Sequence, residues 1–182
     1  PISHIIIGGK MDGYEINSEC IGSSWVTPVD VDSDLGNSTI TIERPDVVRH
    51  YGGLRVDLTS LYILGNGDIK NMTINSDVIG DVIIEGDVNK LLIDGYFEGD
   101  FTADNVKSFT SGTIGYSRFN IPGSLDKMTV DSFADGFIRA GEVGTIVSNS
   151  DFNARLDLDK GLKKLEVLSG VLQSEYLQVG DD

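Results

Sequence analysis

From residue 67 onward the chain can be laid over itself. GDIKNMTINSDVIGDVIIE (67–85) matches GDVNKLLIDGYFEGDFTAD (86–104), and DNVKSFTSGTIGYSRFNI (104–121) follows one residue earlier in frame. The series goes on with GSLDKMTVDSFADGFIRA (123–140), GEVGTIVSNSDFNARLDLD (141–159) and KGLKKLEVLSGVLQSEYLQ (160–178). The units start at 67, 86, 104, 123, 141 and 160, so the step alternates between 19 and 18 residues. A unit this short cannot bury an apolar face alone and needs the next unit stacked on it.

The columns of the repeat say how the stacking works. Two residues past each start stand Ile69, Val88, Val106, Leu125, Val143 and Leu162, and five past stand Met72, Leu91, Phe109, Met128, Ile146 and Leu165. Fifteen past come Val82, Phe101, Phe119, Ile138 and Leu156; seventeen past come Ile84, Ala103, Ile121, Ala140, Leu158 and Leu177. Apolar positions that alternate within a unit and stack across units describe parallel strands about 4.8 Å apart. Between the columns lie corners. Nine past each start is small (Ser76, Gly95, Thr113, Ser132, Ser150, Ser169), and thirteen past holds Gly80, Gly99, Ser117, Gly136 and Ala154. With the Gly-Asp or Gly-Ser pair at most starts, that makes three bends per unit. The predicted fold is all-β: a three-sided parallel β-helix of 18–19 residues per coil.

Residues 67–178 form six regular coils in this reading. Residues 1–17 form a first coil, with Ile2, Ile5, Ile7, Gly9, Met11 and Gly13 falling where a start at position 0 puts them. The chain then begins inside a coil series, which predicts further sequence upstream. Residues 18–66 break the period and hold the only Trp (Trp25), the only Cys (Cys20), Pro28 and Pro45. They are read as irregular coils interrupted by an outward loop, because TITIERP (39–45) and LRVDLTSLYIL (54–64) still alternate. LKKLEVLSGVLQSEYL (162–177) also has helical spacing, and column agreement makes it a final coil. The whole is one solenoid domain.

Charge narrows the partners. With 14 Lys+Arg against 29 Asp+Glu, the formal charge is −15, which disfavours nucleic acid and anionic membranes. No apolar run approaches the roughly 18 residues of a membrane span. A single cysteine excludes an internal disulfide and a Cys-rich zinc site.

The unit G-D-V-x-x-L-x-I-x-G-x-x-x-G-D-x-x-A is carried here by Gly86, Asp87, Val88, Leu91, Ile93, Gly95, Gly99, Asp100 and Ala103. It resembles the solenoid repeats of large bacterial surface and secreted β-helix proteins. That resemblance implies a right-handed parallel β-helix with a structural or adhesive role outside the cell or on its surface, and brings no catalytic motif. A second resemblance is to bactofilins, cytoplasmic bacterial filament proteins with a comparable coil, against which the irregular segment 18–66 stands.

Two constellations could carry chemistry. Asp30, Asp32 and Asp34 alternate in PVDVDSDLGNS with Asn37 nearby, a spacing by which carboxylates converge on calcium. Leu35 stands where the loop glycine belongs and Thr41 where a bidentate Glu belongs, so a solvated acidic loop explains the same residues. The second is an outward face read from alternate positions: Tyr116, Arg118 and Asn120; Asp135, Phe137 and Arg139; Asn153, Arg155 and Asp157. Planar donors, hydroxyl acceptors and rings on a flat sheet suit a carbohydrate chain. The competing reading is cross-coil ion pairs, Asp100 with Arg118 and Arg139 with Asp157. An ice-binding Thr ladder is not expected, because six past each start come Thr73, Leu92, Thr110, Thr129, Val147 and Glu166.

No residue stands out as a catalytic base, and His4 and His50 lie far apart in sequence. The chain is therefore expected to be a non-enzymatic structural or adhesive solenoid segment of a larger bacterial surface or secreted protein. Calcium is the one cofactor suggested, and carbohydrate, other surface proteins or end-to-end self-association are the partners. The alternatives are a polysaccharide-binding or polysaccharide-cleaving β-helix, and a bactofilin-like filament protomer in the cytoplasm.

Overall fold

The computed structural model describes residues 5–7, 15–18, 28–31, 35–42, 60–63, 68–74, 78–173 and 177–179. Among them every regular element is a strand, and every strand pairing is parallel. The strands stack as a β-solenoid of about five turns.

Three stacks run along it. The first side is built from β2 (Glu15–Ser18), β4 (Leu35–Ile42), β6 (Ile69–Ile74) and β9 (Val88–Ile93), paired in that order. It continues into β11 (Phe109–Ser148), a strand run long enough to turn corners, and then into β12 (Phe152–Val167). The third side stacks β1 (Ile5–Ile7), β3 (Pro28–Val31), β5 (Ser60–Ile63) and β8 (Val82–Ile84) onto β10 (Phe97–Thr102). Later parts of β11 and β12 extend it to β13 (Leu177–Val179). The short second side joins them. There β7 (Val78–Ile79) pairs with Phe97, Phe97 with Ile114, Phe133 with Phe152, and Phe152 with Leu172.

The predicted columns are the pairing registers. Met72 sits on Leu91 and Leu91 on Phe109; Val82 sits on Phe101 and Phe101 on Phe119. Residues 161–167 pair with residues 142–148, so the first part of the C-terminal stretch with helical spacing is strand. The inward residues of the 86–104 coil, Val88, Leu91, Ile93, Phe97, Phe101 and Ala103, are all buried. Six phenylalanines continue the core upward as a spine. Phe119 contacts Phe97, Phe101, Phe109 and Phe133 with ring centroids 5.2–5.8 Å apart, and Phe133 meets Phe152 at 5.5 Å.

Registers also explain the alternating step. Between the third side of one coil and the first side of the next lie Glu85-Gly86-Asp87, then Asp104-Asn105, then Pro122-Gly123-Ser124, then Gly141-Glu142. Three-residue and two-residue corners take turns, and the remainder of the lap keeps a constant length. Where Ile114 follows Ser111 sooner than Phe97 follows Ile93, the strand shifts register by one residue before Ser117 and recovers the column.

Two details differ from a strict alternation of inward and outward residues. On the first side the burial pattern of β6 and β9 puts two outward residues in succession, Lys70-Asn71 and Asn89-Lys90, between inward ones. The period-2 reading does not hold there, because the backbone bends to keep both flanking apolar residues inside. The N-terminal register also differs. Ile5 pairs with Val29, Val29 with Leu61 and Leu61 with Val82, so Ile5–Ile7 belong to the third side, not the first. Three successive isoleucines fit either side, and pattern alone could not choose. Ile2, Gly9, Met11 and Gly13 lie outside the described residues, as do residues 43–59.

The second bend takes Ser117 and Ala154 in two coils, but at Gly99 and Gly136 it requires glycine. Gly99 has φ +146°, and a Cβ there would stand 2.1 Å from the carbonyl oxygen of Gly80 in the coil below. Gly136 repeats this against Ser117 with φ +147°.

Candidate functional site

The nine residues proposed as a carbohydrate face do share one flank of the solenoid. Asp100 faces Arg118, Thr102 faces Asn120, Phe137 faces Arg155, and Arg139 faces Asp157 across adjacent coils. Tyr116, Asp135 and Asn153 fall at the bends before each third-side strand; Tyr116 is 61% exposed.

Most polar groups on this flank are spent on the neighbouring coil. The Arg118 guanidinium donates to both carboxylate oxygens of Asp100, at 2.8 and 2.7 Å. That hydrogen bond, with the Asp100 charge, holds the Arg118 pKa above its usual value. Arg139 stands 3.9 Å from Asp157, and the Asn153 amide donates to the Ala134 carbonyl at 3.0 Å. The two expected ion pairs are therefore present. What this flank offers a ligand is Tyr116, Asn120, Asp135 and a half-buried Phe137.

The corners are similarly used. At the third corner the Asp87 amide donates to the Asp68 carboxylate at 2.8 Å, the Asn105 side chain to Asp87 at 2.8 Å, and the Ser124 amide to Asn105 at 2.9 Å. Of the candidate calcium ligands, Asp30 lies in β3 on the third side and Asn37 in β4 on the first, flanking such a corner. Asp32 and Asp34 lie outside the described residues. Asp34 precedes Leu35 as Asp68 precedes Ile69 and Asp87 precedes Val88, and Leu35, Ile69 and Val88 form one column. Among the described residues no group of three or more His, Cys, Asp or Glu could hold a metal ion.

Sequence reasoning missed a different feature. The two outward residues per coil on the first side run Lys70-Asn71, Asn89-Lys90, Lys107-Ser108, Asp126-Lys127, Gly144-Thr145 and Lys163-Lys164. Six of the eight lysines of an acidic chain thus share one ridge. Alternation directs attention to every second residue, whereas these lysines step between adjacent positions, three and four past each start. Reading both positions together would have found them.

Comparison with protein-family models, with curated proteins and with solved structures returned no match.

Proposed function

We propose that this chain is a non-enzymatic structural solenoid, a rigid spacer or adhesive scaffold of a bacterial surface or secreted protein. The supporting observation is where its polar side chains go. Corner acids, amides and the third-side arginines bond along the axis, each to the equivalent position 18 or 19 residues away. Groups engaged in this way stiffen a stack and are poorly placed to converge on a reacting atom. The purified chain is expected to leave acidic and neutral glycans uncut; shortening of either would replace this reading with a polysaccharide-cleaving one.

A second reading, a filament protomer growing end to end, rests on a specific feature of the last coil. No described strand pairs with the outer edge of residues 161–167, and Leu168, Val171 and Leu172 are exposed beside it. Filaments in negative-stain images at micromolar concentration would favour that reading over the spacer.

A further inference from the structure

The lysine ridge is not explained by a scaffold role. Each exposed arginine pair on the third side bridges two coils, yet none of Lys70, Lys90, Lys107 or Lys127 makes an ion pair with a described residue. All four are exposed. They occupy four successive coils, so the ridge presents one ammonium per coil rise of about 4.8 Å. Lys90 lies opposite Asn71 and diagonal to Lys70, so the lysines zigzag up the ridge; like charges this close still repel one another, which a purely structural surface gains nothing by keeping.

We propose that this ridge binds a linear polysaccharide carrying one carboxylate per sugar ring. The length by which a sugar ring advances its chain is close to the coil rise, so carboxylates meet ammonium groups in register. Beside the lysines runs a half-buried, uncharged shelf of Thr73, Leu92, Thr110 and Thr129, wide enough for rings and hydroxyls. On the other side stand the corner acids Asp68, Asp87 and Asp104. A single narrow chain stays on the ridge, where Asp126 is the one acid among these four coils, and avoids the corner acids. A nucleic-acid duplex is broader and more densely charged, and would press its phosphates against those acids.

Polygalacturonate, neutral dextran and duplex DNA are suitable probes, in affinity electrophoresis at low ionic strength. The chain should be retarded by polygalacturonate, released by salt, and unaffected by dextran. Replacing Lys70, Lys90, Lys107 and Lys127 by Gln should weaken binding about tenfold or more, since four exposed charge contacts are lost. Replacing them by Arg should preserve binding, and Arg118→Gln on the other flank should not change it. Should the fourfold Gln variant lose its β circular dichroism, Lys90→Gln and Lys107→Gln singly must each lower the salt concentration for release. Undiminished binding by the Gln variants, no retardation by polygalacturonate, or tighter retention by duplex DNA would overturn the proposal. The scaffold reading has a separate failure, the shortening of the glycan, which a binding ridge alone does not predict.

Discussion

The middle coils and the last described coil are made from the same columns but differ in what they bury. Around Phe109 and Phe119 the column residues are sealed by a coil below and a coil above, and every inward side chain is buried. In the last first-side strand, Leu162, Leu165 and Val167 occupy the same columns yet are only partly buried against the core. The sequence pattern is equal; the number of neighbours is not. In a solenoid a residue gains its stability from two interfaces, and among the described residues this coil's first-side strand has one.

Removing the largest inward side chain of the middle should produce the greatest loss. Phe119→Ala empties the centre of the aromatic spine, which meets four other rings. A destabilisation of about 3–5 kcal/mol in urea unfolding is expected, at the upper end if the rings cannot collapse. A loss below about 1 kcal/mol would mean that stacking columns, not the spine, hold the middle together. Gly99→Ala should come next. The left-handed backbone costs roughly 1–3 kcal/mol for a residue with a side chain, and the new Cβ meets the Gly80 carbonyl. Neutral behaviour here would show that the bend can relax.

Leu165→Ala sharpens the contrast from the other side. Its column partner Ile146 is fully buried, while Leu165 is only partly buried and no described strand pairs with its other edge. The expected cost is below about 2 kcal/mol, against about 2–5 kcal/mol for a sealed aliphatic. If both Leu165→Ala and Ile146→Ala cost the same, a further coil must cover the last strand in solution.

The regular coils were legible in the sequence because burial imposes a physical period. Leu91 and Phe101 had to recur as apolar residues wherever a coil stacked, and a small residue (Gly99, Ser117, Gly136, Ala154) had to recur wherever the chain bent against the coil below. Less was legible where the physics is degenerate. Ile5-Ile6-Ile7 satisfies either side of the triangle, so only the pairing to Val29 fixes it. Asp100 and Arg118 could be paired in advance because they are cross-coil neighbours of opposite sign. Lys90 and Lys107 escaped notice because solvated residues carry no alternation of their own, and their common ridge exists only once the bend between inward residues is known. The acids of PVDVDSDL look like metal ligands by spacing, while the ladder from Asp68 to Asp87 shows a second use for an acid at such a corner.

The smallest expected effect lies at the seam between the two regions. Lys163, on the last coil, donates to Glu142 on the coil before it at 2.7 Å. The hydrogen bond from Lys163, and then its charge, lower the Glu142 pKa; the same contact raises that of Lys163. The sign of each linkage differs. Glu142 contributes to docking above its unfolded pKa and loses that contribution as pH falls through its lowered folded value. Lys163 contributes below its unfolded pKa and loses it as pH rises through its raised folded value. The last coil should therefore be held best between the carboxylate and lysine ranges. Both side chains are well exposed, so salt should erase most of the difference. Amide exchange protection over residues 161–167, corrected for intrinsic rates, should fall at both pH extremes while the 109–121 region stays protected. Lys163→Met should flatten that dependence. Equal losses of protection in both regions would show that the last coil does not open by itself, and that end and middle unfold as one unit.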